Sequence, residues 1–255
     1  MGIFNYKKID KLEYLNNKPF SHIQLNDCWE SSLLKQCSKD IYKFNNWEGE
    51  KKFFAAKEKT YSRKYKQFPE SIKKVMDEIN SSEFLDWLTT FTNEKELIAD
   101  PNFSAGGIQS VGNGGFLKIH ADPNWNPTLK LYRRLNVLVY LNENWKEEWG
   151  GHLEFWAKDM KRCEKKIVPT FNKTAIFTID DFNYHGHPDP LKCPLDVRRN
   201  TIFAYFYSPI KPQKGFISKM SDNYNANYKE RSPGDFDKGN LIKRIIKRIW
   251  NRMNL

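Results

Sequence analysis

Residues 107–122 read GIQSVGNGGFLKIHAD, and this stretch decides the fold that we expect for the chain. Its apolar runs are typical of β-strands at 107–110 and 116–120, with a glycine-rich turn at 112–115 between them. Residues two apart in an extended chain point to the same side, so the imidazole of His120 and the carboxylate of Asp122 converge at the strand end. The stretch therefore predicts a β-rich fold that presents a paired imidazole and carboxylate.

Short apolar runs of the same kind continue downstream, separated by turn-forming segments at 142–145 and 187–194. They lie at 135–141, 152–155, 175–179 and 201–207. Because no helical pattern intervenes, this spacing favours an antiparallel jelly roll over a parallel α/β sheet. The predicted fold class is α+β and mainly β, a cupin-like double-stranded β-helix.

The first 99 residues carry a mostly helical pattern, which we expect to support the barrel from outside. Asp27 is a candidate N-cap for a first helix, Pro69 precedes a second helix, and Ser81 opens a third. A strand is expected at 21–25, and the charge-rich segment 51–66 is expected to be exposed.

No flexible linker divides the chain, so residues 1–255 are predicted to form one domain. Its parts would be the helical support at 1–99, the jelly-roll core at 100–210, and a polar loop followed by a basic amphipathic helix at 211–255. That helix, at 241–255, has two interpretations: peripheral membrane contact, or docking onto the barrel or a second subunit.

Charge and cysteine content narrow the classes of partner and compartment. The formal net charge is +11, but the clearest basic cluster is confined to the tail and is not interleaved with aromatic residues along the body. We therefore expect no nucleic-acid partner. Four dispersed cysteines without a C-x-x-C pair, and no apolar stretch of signal-peptide length at the N-terminus, predict a cytoplasmic protein.

A third metal ligand would complete a face of two histidines and one carboxylate, which leaves three positions open on Fe(II). His185 and His187 are the candidates for that ligand. Arg199 then begins the last apolar run, on a face shared with aromatic residues. A buried guanidinium requires an anion, which is either an internal Asp or the distal carboxylate of 2-oxoglutarate, a bidentate partner.

The sequence at these positions resembles the 2-oxoglutarate- and Fe(II)-dependent dioxygenases, specifically their prolyl-4-hydroxylase-like branch. The similar segments lie at 81–85, 100–101, 114–122, 134–142, 150–156 and 184–191. One departure is the gap between His185 and Arg199, which is longer than is typical of animal prolyl hydroxylases. We therefore expect the 188–197 loop to differ around the substrate mouth.

The resemblance implies a role for each matching residue. His120, Asp122 and His185 would bind Fe(II), with His187 as the fallback for His185. Arg199 would bind 2-oxoglutarate. Tyr140 would bond a co-substrate carboxylate, and Asn136 would either contact the pocket or satisfy a backbone group.

The implied reaction is hydroxylation of a C–H bond with O2, releasing succinate and CO2, with ascorbate as a reductant. The presence of Asp122 favours hydroxylation over halogenation. The substrate would be a small molecule, a sugar or a peptidyl proline. The alternative is a cupin-like metal-binding protein that is not an oxygenase, either an isomerase or a binding module, which would have no need of Arg199.

Overall fold

The computed structural model describes residues 2–100, 103, 105–212 and 226–236, so the helix expected at 241–255 lies outside the described part. The α-helices of the described part are α1 (Lys11–Asn16), α2 (Ser31–Lys43), α3 (Glu70–Ile79) and α4 (Ser82–Thr92). As expected, α3 follows Pro69 and α4 is capped by Ser81, whose hydroxyl accepts the Phe84 N–H at 3.1 Å.

The N-cap predicted for the first long helix is wrong. The carboxylate of Glu30 caps α2, accepting the N–H groups of Ser32 and Leu33 at 2.9 and 2.7 Å. Asp27 instead has a left-handed φ of 53° just after the first strand. A chain that turns at Asp27 enters the helix three residues later than the apolar spacing suggested.

All strand pairs in the described part are antiparallel and join in one curled sheet. The strands are β1 (His22–Asn26), β2 (Gly49–Phe53), β3 (Ala56–Ser62), β4 (Gly107–Ala121), β5 (Trp125–Asn126), β6 (Leu131–Tyr140), β7 (Leu153–Trp156), β8 (Cys163–Ile167), β9 (Lys173–Thr178), β10 (His185–His187), β11 (Arg199–Ser208) and β12 (Asn227–Tyr228). The main path runs β1-β9-β6-β11-β4-β10-β7-β8. Because β4 pairs with β11 along its first part and with β10 further on, the sheet turns back on itself. The predicted jelly roll is confirmed.

Strand β4 runs without a break through the turn predicted at 112–115. Gly114 takes a φ of 72° inside the strand, a conformation that costs glycine little because it has no Cβ. Main-chain bonds to Leu191 on both sides of the Gly114–Gly115 step, at 2.8 and 2.9 Å, hold the bend. The glycines thus bend the strand and do not end it.

Two further corrections concern elements that frame one end of the barrel. The segment 51–66, expected to be exposed, contributes to the hairpin of β2 and β3, and β3 pairs with β4. The turn expected to begin at residue 187 starts later, because His187 still belongs to β10. Both segments are short or charged, and each forms strands by pairing with partners that are remote in sequence, β4 in both cases and also β7 for β10.

The two faces of the curled sheet have different tasks. On β6, Val137 and Val139 point out to the helices, whereas Leu138 and Tyr140 point into the barrel. Phe84 of α4 is fully buried against the outer face, which stabilises this layer by roughly 2–3 kcal/mol. The helices therefore cover the outer face of the sheet, whereas the inner face is available to form a site. None of the described helices has the length and apolar composition needed to cross a bilayer.

Candidate active site

The ends of β4 and β10 bring two histidines side by side. His185 lies directly opposite His120 in the antiparallel register, and the two ring centroids are 4.7 Å apart. Each imidazole donates its Nδ1–H to a backbone carbonyl, that of Lys118 at 2.8 Å and that of Asn183 at 2.9 Å. Both Nε2 atoms are therefore left as acceptors that face a common centre.

Asp122 completes this centre, because its carboxylate lies between the two rings. One oxygen is 3.6 Å from His120 Nε2 and the other is 3.6 Å from His185 Nε2. One donor atom from each of the three residues lies within 4.8 Å of the others. His187 is not part of this cluster, so of the two histidines the structure brings His185 to the pair on β4.

Burial and neighbouring groups shift the pKa values of Asp122 and His120 in the direction that favours metal binding. Burial opposes the charge on Asp122, but the two histidines outweigh burial and hold its pKa well below the usual value. Burial also lowers the pKa of His120. A carboxylate between two imidazole nitrogens is a donor set that suits a divalent transition metal, so the residues present fit an Fe(II) ion.

Arg199 stands at the head of β11 and is almost completely buried, with a relative exposure of 1%. Its Nε donates to the Gly151 carbonyl at 2.8 Å, and one terminal nitrogen donates to the Tyr140 hydroxyl at 3.3 Å. In the described part of the chain it has no ion-pair partner, so the pairing with an internal Asp considered above is not found there. Burial lowers its pKa, although the neighbouring tyrosine opposes this effect.

Asn136 is oriented towards the metal cluster. Its side-chain amide donates to the Asp122 carboxylate at 3.2 Å. Its Oδ1 is buried and makes no hydrogen bond to another described group. The structure thus places Asn136 as a residue that orients Asp122, with one free acceptor, and not as a group that satisfies the backbone.

These residues line one cavity of about 520 Å³. His120, Asp122, His185, Arg199 and Asn136 all border it, whereas Tyr140 reaches it through Arg199. His187 also lines the cavity, and neither of its ring nitrogens finds a hydrogen-bond partner among the described residues. Burial together with the charges of Arg199 and Lys59 lowers its pKa well below the usual value.

Sequence reasoning missed several residues that line the cavity, among them Lys51, Lys59 and Tyr228. Lys51 and Lys59 come from the hairpin that was expected to be exposed, and Tyr228 comes from β12. The centroid of the Tyr228 ring lies 5.1 Å from that of His120. The signal for the hairpin was present, since Lys51, Phe53, Lys59, Tyr61 and Arg63 repeat at the two-residue period of strands.

Comparison with known families supports the geometry. Residues 106–207, which hold all of the predicted ligands, match the model of the 2OG-Fe(II) oxygenase superfamily. The resemblance of this part of the chain to that superfamily, and to its prolyl-hydroxylase-like branch, is confirmed.

Individual relatives are distant. A protein of Mus musculus described as prolyl 3-hydroxylase OGFOD1 is 27% identical over 81 residues, which are 30% of this chain and only 14% of that protein. A solved prolyl hydroxylase from Trichoplax adhaerens, in complex with a hypoxia inducible factor peptide, superposes with a TM-score of 0.57 at 17% identity, over 78% of this chain and 89% of that one. HygX of Streptomyces hygroscopicus, solved with nickel, 2-oxoglutarate and hygromycin B, has a TM-score of 0.51 at 9% identity, over 86% and 94%. The structural likenesses show the fold.

Proposed function

We propose that this protein is a 2-oxoglutarate- and Fe(II)-dependent dioxygenase that hydroxylates a C–H bond of its substrate. One observation carries the proposal: the cluster of His120, Asp122 and His185 opens into the same cavity as the buried Arg199, which has no acidic partner among the described residues. A metal-binding jelly roll that is not an oxygenase needs the first feature but not the second.

Each residue has a defined task in this proposal. His120, Asp122 and His185 hold Fe(II), and Asn136 orients the carboxylate. Arg199, itself held by Gly151 and Tyr140, binds the distal carboxylate of 2-oxoglutarate. When bound, the metal and co-substrate supply the oxygen activation that yields succinate, CO2 and a hydroxylated product, while the buried walls exclude water.

The relatives differ in the substrates and ligands that their names describe, so they do not define a single substrate class. One is described as a prolyl 3-hydroxylase, another was solved with a peptide, and a third with hygromycin B. The four cysteines are all free thiols, which is compatible with the reducing cytoplasm that we propose as its location.

Replacing ligands tests the proposal. We expect His120→Ala and Asp122→Ala to remove Fe(II)-dependent formation of succinate from 2-oxoglutarate, because two donors cannot retain the ion. Succinate assays and metal analysis of the purified variants measure this. His152→Ala is the matched control, since His152 lies outside the cavity and contacts Glu147 at 3.5 Å. Full turnover in either ligand variant would refute the assignment, and bound metal without succinate in the wild type would favour the alternative that is not an oxygenase.

A further inference from the structure

The cavity holds more positive charge than the co-substrate requires. Lys51 and Lys59 lie directly opposite each other in the β2–β3 hairpin. Lys59 is opposite Val111 of β4, and Val111 is in turn opposite Arg199 of β11. The three cations therefore lie along one line across the sheet, and all three border the cavity.

Neither lysine has an ion-pair or hydrogen-bond partner among the residues that the structure describes. Arg63, directly after β3, differs in this respect because it pairs with Glu48. Lys59 is only 7% exposed. Burial lowers the pKa of both lysines, strongly for Lys59, and neighbouring cations lower them further.

Two lysines without a counter-ion destabilise the unliganded protein. Like charges directly opposite each other in a β-ladder destabilise it, and a buried ammonium without a counter-ion is costly as well. The Asp122 carboxylate acts on both lysines from further away, but it is already shared by His120 and His185. The arrangement is understandable if a ligand brings the missing negative charge.

2-Oxoglutarate does not carry enough negative charge to offset Arg199 and both lysines. One carboxylate of 2-oxoglutarate is matched by Arg199, and the other, together with Asp122, is matched by the divalent metal. With both bound, the centre is neutral and the two lysines are still uncompensated. Because no described residue offsets the remaining charge, a different molecule in the same cavity is the counter-ion that this arrangement favours.

We propose that the primary substrate carries an anionic group, a carboxylate, phosphate or sulfate, that Lys51 and Lys59 bind together. This inference rests on the proposed function, since it assigns the co-substrate to Arg199. Aromatic rings continue from the lysines towards the metal cluster, with the centroids of Phe53 and Tyr228 5.8 Å apart. They offer an apolar wall for the body of a substrate anchored at its charged end.

Thermal unfolding of the protein loaded with Mn(II) and saturating 2-oxoglutarate tests the inference. Sulfate and phenyl phosphate are the probes, and sodium chloride at equal ionic strength is the control. Because the co-substrate already occupies Arg199, we expect either probe to raise Tm by at least about 2 °C. Lys51→Met and Lys59→Met should lose this rise. Lys57→Met should keep it, since Lys57 lies on the same strand and is exposed.

A second measurement separates a ligand site from a structural lysine. Without any ligand, Lys59→Met should unfold at a temperature equal to or above that of the wild type, because it removes an uncompensated buried charge. Circular dichroism establishes that the variant is folded. A clear fall in Tm, matched by Lys51→Met, would show that an internal partner holds the lysines and would overturn the proposal.

The remaining outcomes are distinct. If 2-oxoglutarate abolishes the probe effect, the lysines serve the co-substrate and the proposal is wrong. If 2-oxoglutarate and Mn(II) bind but the probes have no effect beyond that of chloride, the proposal fails while the proposed function stands. If neither metal nor 2-oxoglutarate binds, it is the proposed function that fails.

Discussion

Gly151 shows how a single residue without a side chain sets the position of the Arg199 guanidinium. Its carbonyl accepts the Arg199 Nε at 2.8 Å. A Cβ at this position would lie 2.6 Å from Leu191 Cδ2 and 3.1 Å from Arg199 Cδ. At Gly150, by contrast, a Cβ would meet nothing within 4 Å. The two glycines have φ values of 71° and 74°, so they share the backbone requirement and differ in what they touch.

Comparing Gly151→Ala with Gly150→Ala isolates this effect. Both variants should lose about 1–2 kcal/mol of stability, because alanine is strained at positive φ. Only Gly151→Ala should raise the KM for 2-oxoglutarate, by about tenfold or more, because it displaces the guanidinium. Succinate kinetics and equilibrium unfolding measure the two quantities. An equal change of KM in the two variants would mean that backbone strain, and not the position of Arg199, is responsible.

At the scale of elements, the segment 226–236 is held against β4 and contributes Tyr228 to the wall of the cavity. Tyr228 of β12 pairs with His120 of β4. Ion pairs hold this segment in place. Asp235 accepts from Lys118 Nζ at 2.8 Å and from Arg231 at 3.0 Å, and Arg231 also pairs with Asp189 at 2.8 Å. Burial opposes the charge on Asp235, but these cations prevail and lower its pKa from 3.8 to about 2.

Because the pKa of Asp235 is lower in the folded protein than in the unfolded chain, its ionised carboxylate stabilises the fold. The contribution of Asp235 is fully present above pH 3.8, its unfolded value, and is lost as pH falls through about 2. Asp235→Asn should therefore cost about 2 kcal/mol at pH 7 and little near pH 2. Urea unfolding of both proteins at the two pH values measures this, with amide exchange at Lys229, whose N–H bonds Ile119 at 2.8 Å, as a local readout. A difference that is the same at both pH values would show that charge is not what fastens the segment.

At the scale of the whole molecule, the site joins strands that are remote along the chain. His120 and Asp122 follow β4, His185 lies on β10 and Arg199 begins β11. A metal and a co-substrate held between them bind the folded state and not the unfolded chain, so the free energy of binding adds to stability.

Loading the protein with Mn(II) and 2-oxoglutarate at about a hundred times their dissociation constants should raise Tm by about 5–10 °C. Removing the metal with a chelator should reverse the rise. Asp122→Asn should show almost none, because the carboxamide carries no charge for the metal. Differential scanning calorimetry measures the shift, and an undiminished rise in Asp122→Asn would place the metal elsewhere.

Sequence patterns over a few residues were sufficient to predict several elements of this protein. Local sequence alone indicates the strand that leads to His120 and Asp122, the starts of α3 and α4, and the alternation that turns Tyr140 and Arg199 inward. The β2–β3 hairpin was missed although its cavity-lining residues alternate at the period of a strand. The high charge of this segment favours exposure, and its burial follows only from the pairing of β3 with β4.

By itself, the sequence determined the ligand types and the strand alternation that points them inward, because the two-residue repeat of an extended chain acts within each strand. Only the tertiary structure decided that His185 and not His187 joins the cluster, since that depends on the register between β10 and β4. It also decided that Lys59 is buried beside Arg199. Burial and unmatched charge arise from strands packed together, and no single segment contains that information.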